Sequence, residues 1–263
     1  MRNRLISILR QKNLIFIFQI FLILTASVYF QSCGSSDKTD IKTEDPEEAF
    51  RVAKKNYDKA DYLQAIDDFS YIKVKFSGTK IIDKSQYYLA MCYYKRKEYI
   101  LSAYEFDYMS KNYPTSELIS SARYQLAMCY YNLSPAYNLD QTYTYYAIGG
   151  LLDFLELYPK DPNVTDAENK IKELRNKLAL KDYKTGQLYY DLENYRSAIV
   201  YYDNVLDIYF DSDYADDALY MKIMCLVNRK KYDNARSEID RFSKKFATSE
   251  YLERVMLIKN SLP

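Results

Sequence analysis

Leu89-Ala90-Met91-Cys92-Tyr93-Tyr94 recurs unchanged 37 residues later as Leu126-Ala127-Met128-Cys129-Tyr130-Tyr131. A fixed period of this size marks a chain of stacked repeats. Such a chain works by offering an extended surface more often than by enclosing a catalytic pocket. The period runs outward from this stretch in both directions. Tyr62, Leu63, Ala65 and Phe69 are followed 37 residues on by Tyr99, Ile100, Ser102 and Phe106, and Tyr195 and Ala198 return as Tyr232 and Ala235.

The slots fit the tetratricopeptide pattern, in which Leu, a small residue and Tyr on a first helix precede Tyr, Ala and an aromatic on a second, and then Pro. The best unit fills them with Leu89, Ala90, Tyr93, Tyr99, Ser102, Phe106, Met109 and Pro114. The expected fold is therefore all-α, a right-handed superhelix of about five helix-turn-helix repeats. Its small slot reads Ala53, Ala90, Ala127, Gly186 and Ile223. Small residues there let paired helices approach, and the large Ile223 points to a looser or capping last repeat. Between Tyr113-Pro114 and Tyr158-Pro159 the spacing widens to 45, which places an inserted loop within Asn132 to Gln141 around Ser134-Pro135. Beyond Asp161-Pro162-Asn163, Val164 to Leu192 contains no Pro and one Gly. This stretch predicts one linking helix of roughly 29 residues, about 43 Å long. The expected organisation is repeats 1–3 over residues 46–160, then the linking helix with repeats 4–5 over 161–263.

The first 32 residues read differently. Arg2, Arg4, Arg10 and Lys12 precede an apolar run from Leu14 to Phe30, with no acidic residue before Asp37. That is the layout of a secretory signal. Phe30-Gln31-Ser32-Cys33-Gly34 resembles the lipobox of bacterial lipoproteins, which makes Cys33 the expected lipidation site. Residues 33–45 then read as a flexible tether. Removing the signal takes four of the 37 Lys+Arg and none of the 36 Asp+Glu, so the mature part carries 33 against 36, or −3. A nucleic-acid partner would call for a basic stripe instead.

The absence of His removes the commonest general base and metal ligand. No phosphate-cradling Gly loop or nucleophile elbow occurs. The expected protein is not an enzyme and has no catalytic residue, cofactor or metal. The acid clusters Asp67-Asp68, Asp216-Asp217 and Asp203 with Asp207 read as solvated helix faces. Cys92, Cys129 and Cys225 occupy one slot of three repeats and read as buried apolar residues without a disulfide.

What remains is a surface. Four residues before the Met slot of the first helix stand Phe50, Tyr87, Tyr124, Tyr183 and Tyr220; three after it stand Tyr57, Tyr94, Tyr131, Tyr190 and Val227. Spacing of four and then three puts both sets on one helix face with Met91 and Met128 between them. In the first three repeats Phe50, Tyr57, Tyr87, Met91, Tyr94, Tyr124, Met128 and Tyr131 form the candidate peptide-binding groove, suited to extended apolar-aromatic peptides. Packing of the same rings against the next repeat is the competing reading.

Asn112-Tyr113-Pro114-Thr115-Ser116, Tyr124 to Leu133, Asp140-Gln141-Thr142, Phe154 to Pro159 and Ile171 to Leu178 together resemble the BamD family of outer-membrane assembly lipoproteins. The resemblance covers nearly everything after Cys33. It implies a lipid-anchored scaffold on the periplasmic face of the outer membrane. Its partners would be a barrel-inserting protein with periplasmic repeat domains, held by the C-terminal repeats, and unfolded β-barrel substrates, engaged by the N-terminal groove. The last repeat ends Phe246-Ala247-Thr248-Ser249 and lacks the Tyr-Pro of the family pattern. A periplasmic tetratricopeptide adaptor for envelope or cell-wall complexes is the alternative function.

Overall fold

The second and third repeats alternate helices in the register of the sequence period. In the computed structural model, which describes residues 39–263, they are α3 (Ile82–Lys95) with α4 (Tyr99–Asn112), and α5 (Ile119–Leu133) with α6 (Thr142–Leu157). Before them stand α1 (Pro46–Asp58) and α2 (Tyr62–Lys75). After them come α7 (Val164–Asp191), α8 (Tyr195–Ile208), α9 (Ala215–Asn228), α10 (Tyr232–Lys245) and α11 (Leu252–Ser261). Among the described residues there is no strand, and consecutive helices pack side by side as tetratricopeptide repeats do. Residues 1–38, and with them the signal and Cys33, lie outside the described residues.

Local chemistry sets the boundaries. Asp45 caps α1 by accepting the Glu47 amide at 3.1 Å, with Pro46 in the first turn, where its missing N–H costs nothing. Within four repeats the turn from first to second helix places Ala60, Lys97, Glu193 and Lys230 at φ between 56° and 63°. There the Lys97 amide bonds the Tyr94 carbonyl and the Glu98 amide bonds the Tyr93 carbonyl, the double closure that ends a helix in a left-handed residue. The other turn also repeats. Phe76, Tyr113, Tyr158, Tyr209 and Phe246 each end a second helix and accept the amide of the residue three positions on. Phe246 to Ser249 therefore turns as Tyr113 to Ser116 does without the Pro. Ser249 Oγ even donates to Asp216 at 2.7 Å as Ser116 Oγ donates to Asp83 at 2.6 Å.

Close packing of the small slots carries the core. Ala53, Ala90 and Ala127 are fully buried. At Gly186 the approach is tighter still, since a Cβ there would lie 2.6 Å from Cε1 of the buried Tyr202 ring. The expectation of a looser last repeat is not met. Ile223 is fully buried, and α11 closes the stack by adding Val255 to the same cluster as Ile239 and Phe242. Cys92, Cys129 and Cys225 are unpaired and buried, and burial pushes each thiol up to about 12. The Tyr202 hydroxyl has no hydrogen-bond partner among the described residues. Tyr202→Phe should therefore raise stability by about 1 kcal/mol, because it removes an uncompensated polar atom from the core. A denaturant titration that shows a loss of stability would contradict this.

Two sequence readings are corrected. The stretch 33–45 is not a free tether throughout. Thr39 Oγ1 and the Asp40 amide donate to Asp68 Oδ1 at 2.7 and 2.8 Å, Ile41 is buried in the first-repeat core, and Glu44 pairs with Lys75. Residues 39–44 thus run parallel to α2 as a docked arm, with Thr39 at Asp68 and Glu44 at Lys75. Nor are the acids uniformly solvated. Asp68 is fully buried and also receives Asn56 Nδ2 at 2.8 Å and Gln64 Nε2 at 3.1 Å. Asp203 pairs with the largely buried Lys222, and Asp217 accepts the Tyr251 hydroxyl.

The helix α7 is 28 residues long and belongs to both halves. Lys177 Nζ donates to Ser134 Oγ at 2.8 Å and Lys181 Nζ to the Leu139 carbonyl at 2.7 Å, so α7 holds the inserted loop. Desolvation at this contact pushes the Lys177 ammonium pKa down. Inside the loop the buried Gln141 donates to the carbonyls of Ala136 and Leu139, while Asp140 accepts the Thr142 amide. From another side of α7, Arg175 reaches the Ile208 carbonyl and Asp211, and Asn176 exchanges hydrogen bonds with Asp213.

Candidate functional site

The first helices α1, α3 and α5 place the eight candidate groove residues on equivalent faces, but not equally open to a ligand. Met91 and Tyr124 are withdrawn into the core, at 9% and 8% exposure. Tyr124 lies 5.3 Å from Phe154, and its hydroxyl bonds the Asp166 carboxylate. Phe50 packs against Phe69 and Tyr88, and Tyr87 against Tyr88 and Phe106, with centroids 5.5–5.9 Å apart. These four residues serve the helix packing, as the competing reading requires.

Tyr57, Tyr94, Met128 and Tyr131 are half-buried and partly open, as Phe50 and Tyr87 also are. Tyr57 meets Tyr62 and Tyr88 edge-on, and Tyr94 meets Tyr99 in the same way at 5.4 Å. The hydroxyls are positioned by the following unit. Tyr94 accepts Asn132 Nδ2 at 3.0 Å; Tyr131 donates to Glu173 at 2.7 Å and accepts Lys170 Nζ at 3.1 Å. The Lys170 ammonium also stands 4.4 Å from the Tyr131 ring centroid, and that of Lys54 5.4 Å from Tyr57. Burial raises the pKa of Tyr57, Tyr94 and Tyr131, so all three remain neutral donors and acceptors near neutral pH. A row of three tyrosines one repeat apart is thus flanked by a lysine at each end. It can take up apolar and aromatic side chains on ring faces and bond a peptide backbone through its polar tips.

Sequence reasoning missed Asn132, Lys170 and Glu173. They join the site through offsets of 38, 39 and 42 residues that no single repeat contains. Among the described residues no cluster of three or more His, Cys, Asp or Glu is placed to hold a metal, and no helix is long and apolar enough to cross a membrane.

No curated protein sequence matches the chain significantly. Among solved structures it is similar to a TPR2AB-domain:pHSP90 complex of yeast Sti1, at 13% identity over 82% of each chain and a TM-score of 0.45. A putative kinesin light chain with nearly identical TPR-like repeats from Podosopora anserina shares 12% identity, covering 79% of this chain and 99% of that one at a TM-score of 0.35. Residues 42–226, from the docked arm into α9, match the family model described as YfiO, outer membrane lipoprotein. The chain belongs to the YfiO family of outer-membrane lipoproteins.

Proposed function

We propose that this lipoprotein is acylated at Cys33, faces the periplasm, and acts as a scaffold in the machinery that folds and inserts β-barrel proteins into the outer membrane. The observation that carries the reading is the partly open row Tyr57, Tyr94 and Tyr131, repeated every 37 residues in a chain of this family. Unfolded barrel strands alternate apolar and aromatic residues with polar ones. A row of tyrosines with wet tips suits such extended segments. The barrel-inserting partner, with its periplasmic repeat domains, would dock on the C-terminal repeats, as the resemblance to the BamD family implies. The scaffold does no bond chemistry itself.

The test is affinity recovery of the lipidated protein in mild detergent, combined with peptide binding. A large outer-membrane barrel protein with periplasmic repeat domains is the expected co-purifying partner; cell-wall enzymes in its place would favour the adaptor reading. Tyr94→Ala with Tyr131→Ala should weaken binding of a barrel-strand peptide about tenfold or more, while the helical circular-dichroism signal stays unchanged. Unaltered affinity would return these rings to a packing role.

A further inference from the structure

The second helices expose what the first helices partly cover. Leu63 and Val74 on α2, and Ile100, Leu101, Tyr104 and Tyr108 on α4, are large apolar or aromatic side chains open to solvent, with Val74 81% exposed and Tyr104 65%. The two helices form one surface across Lys73, which is paired with Glu105 at 2.8 Å and stands 4.9 Å from the Tyr108 ring. An open notch of about 280 Å³ extends it, lined by Tyr99, Ile100, Leu101 and Leu133 with Lys97 and Glu98 at the rim. Exposure is uneven along the stack: α6 also exposes Tyr145, Tyr146, Leu152 and Leu157, and α11 exposes Met256 and Leu257, but α10 differs. On α10 no large apolar side chain is exposed, and its outer groove is lined by Ser237, Asp240, Arg241, Lys244 and Lys245. Exposed apolar patches of the first kind mark a docking surface.

What covers it follows from where the chain leaves the fold. The docked arm fixes Thr39 on Asp68 of α2. Thr39 lies only six positions beyond Cys33, and six residues span at most about 20 Å. That is roughly the length of α2 itself, so a lipid on Cys33 keeps α2 and its neighbour α4 at the membrane surface. We infer that the face of α2 and α4 centred on Ile100, Leu101 and Tyr104 lies in the headgroup layer of the membrane that anchors the chain; this rests on the reading of Cys33 as the lipidated residue. A lipid chain alone holds a protein weakly, and stable anchoring takes a second contact. Aliphatic side chains at shallow depth, with a Tyr whose ring straddles the interface and lysines at the margin, are the side chains that supply one. The tyrosine row on the first helices is then left free for protein ligands.

The chain contains no Trp, so a single introduced Trp reports its own surroundings. Acylated full-length mature protein carrying Tyr104→Trp is placed in vesicles of phosphatidylethanolamine and phosphatidylglycerol with brominated acyl chains. Ser237→Trp on α10 is the reference. The inference expects several-fold stronger quenching at position 104 than at 237. It further expects Ile100→Glu with Leu101→Glu to abolish that difference while leaving the acyl mass and the helical signal intact. Equal quenching at both positions, in protein whose mass shows the acyl groups, overturns the inference and leaves the lipoprotein reading standing. Quenching that survives the two Glu substitutions also overturns it, because proximity would then owe nothing to these side chains. Crosslinking of position 104 to a protein instead of lipid in native membranes assigns the face to a protein partner and overturns it as well. Absence of acyl mass on Cys33 removes the reading and the inference together.

Discussion

Gly186→Val is expected to cost about 3 kcal/mol and to loosen repeats 4 and 5 ahead of the rest of the stack. Gly in the middle of a helix is ordinarily a weakness, and Ala in its place gains about 1 kcal/mol from backbone entropy alone. Here the space is already taken. A Cβ would meet three atoms of the Tyr202 ring within 3.0 Å. That ring is fully buried, with Tyr183 6.0 Å away and Ala198 and Val205 in the same cluster, so it has no free volume to swing into. The clash outweighs the entropy gain, and Gly186→Ala should still lose about 1–2 kcal/mol. Combining Gly186→Ala with Tyr202→Leu opens room for the methyl group and should recover part of the loss. Additive losses in that pair, measured by chemical denaturation, would show that the ring is not what the methyl meets.

Asp68→Leu should be as severe and should act at the other end of the molecule. The Asp68 carboxylate gathers the Thr39 hydroxyl, the Asp40 amide and the amide groups of Asn56 and Gln64, all at 2.7–3.1 Å. An apolar replacement takes the acceptor from several donors at once, a loss of about 3 kcal/mol. The arm depends on that acceptor more than on its one buried apolar residue, Ile41, so it should come away from α2. Asp68→Asn retains one acceptor oxygen and should cost about half as much. Hydrogen exchange at the amides of Asp40 and Ile41 separates a local release from global unfolding. Unchanged protection in Asp68→Leu would mean that the Ile41 contact alone holds the arm.

The repeat period made the helices legible. A slot that must stay small, or an aromatic that must end a second helix, is set by packing within one unit and so recurs at 37 residues. The cysteines were legible for the same reason, since their slot is buried against the preceding repeat, as Cys129 on Ser102 and Cys92 beside Phe69 show. The linking helix was equally readable, because 28 residues without Pro leave no place for a turn. Illegible were the contacts between units. Asp68 looked like half of an ordinary acid pair because two of its donors come from an arm 28 and 29 residues upstream. The groove reading named eight residues by helical spacing, yet spacing fixes only a helix face. It is silent on how deeply the next repeat sinks onto that face. Met91 and Tyr124 are covered by their neighbours, while Tyr57, Tyr94 and Tyr131 stay half-buried. Lys170 and Glu173 reach Tyr131 only because α7 lies across the end of the third repeat, a fact of stacking and not of pattern.

The helix α7 makes the two halves of the molecule a matter of phase. It grips the inserted loop through Lys177 and Lys181, and through Arg175 and Asn176 it grips the turn before α9. Each residue along a helix turns its successor by about 100°, so the short stretch from Arg175 to Lys181 fixes both the distance between the two grips and the direction each one faces. The first three repeats and the last two are thereby presented at a set angle, like two jaws of a vernier locked on one bar.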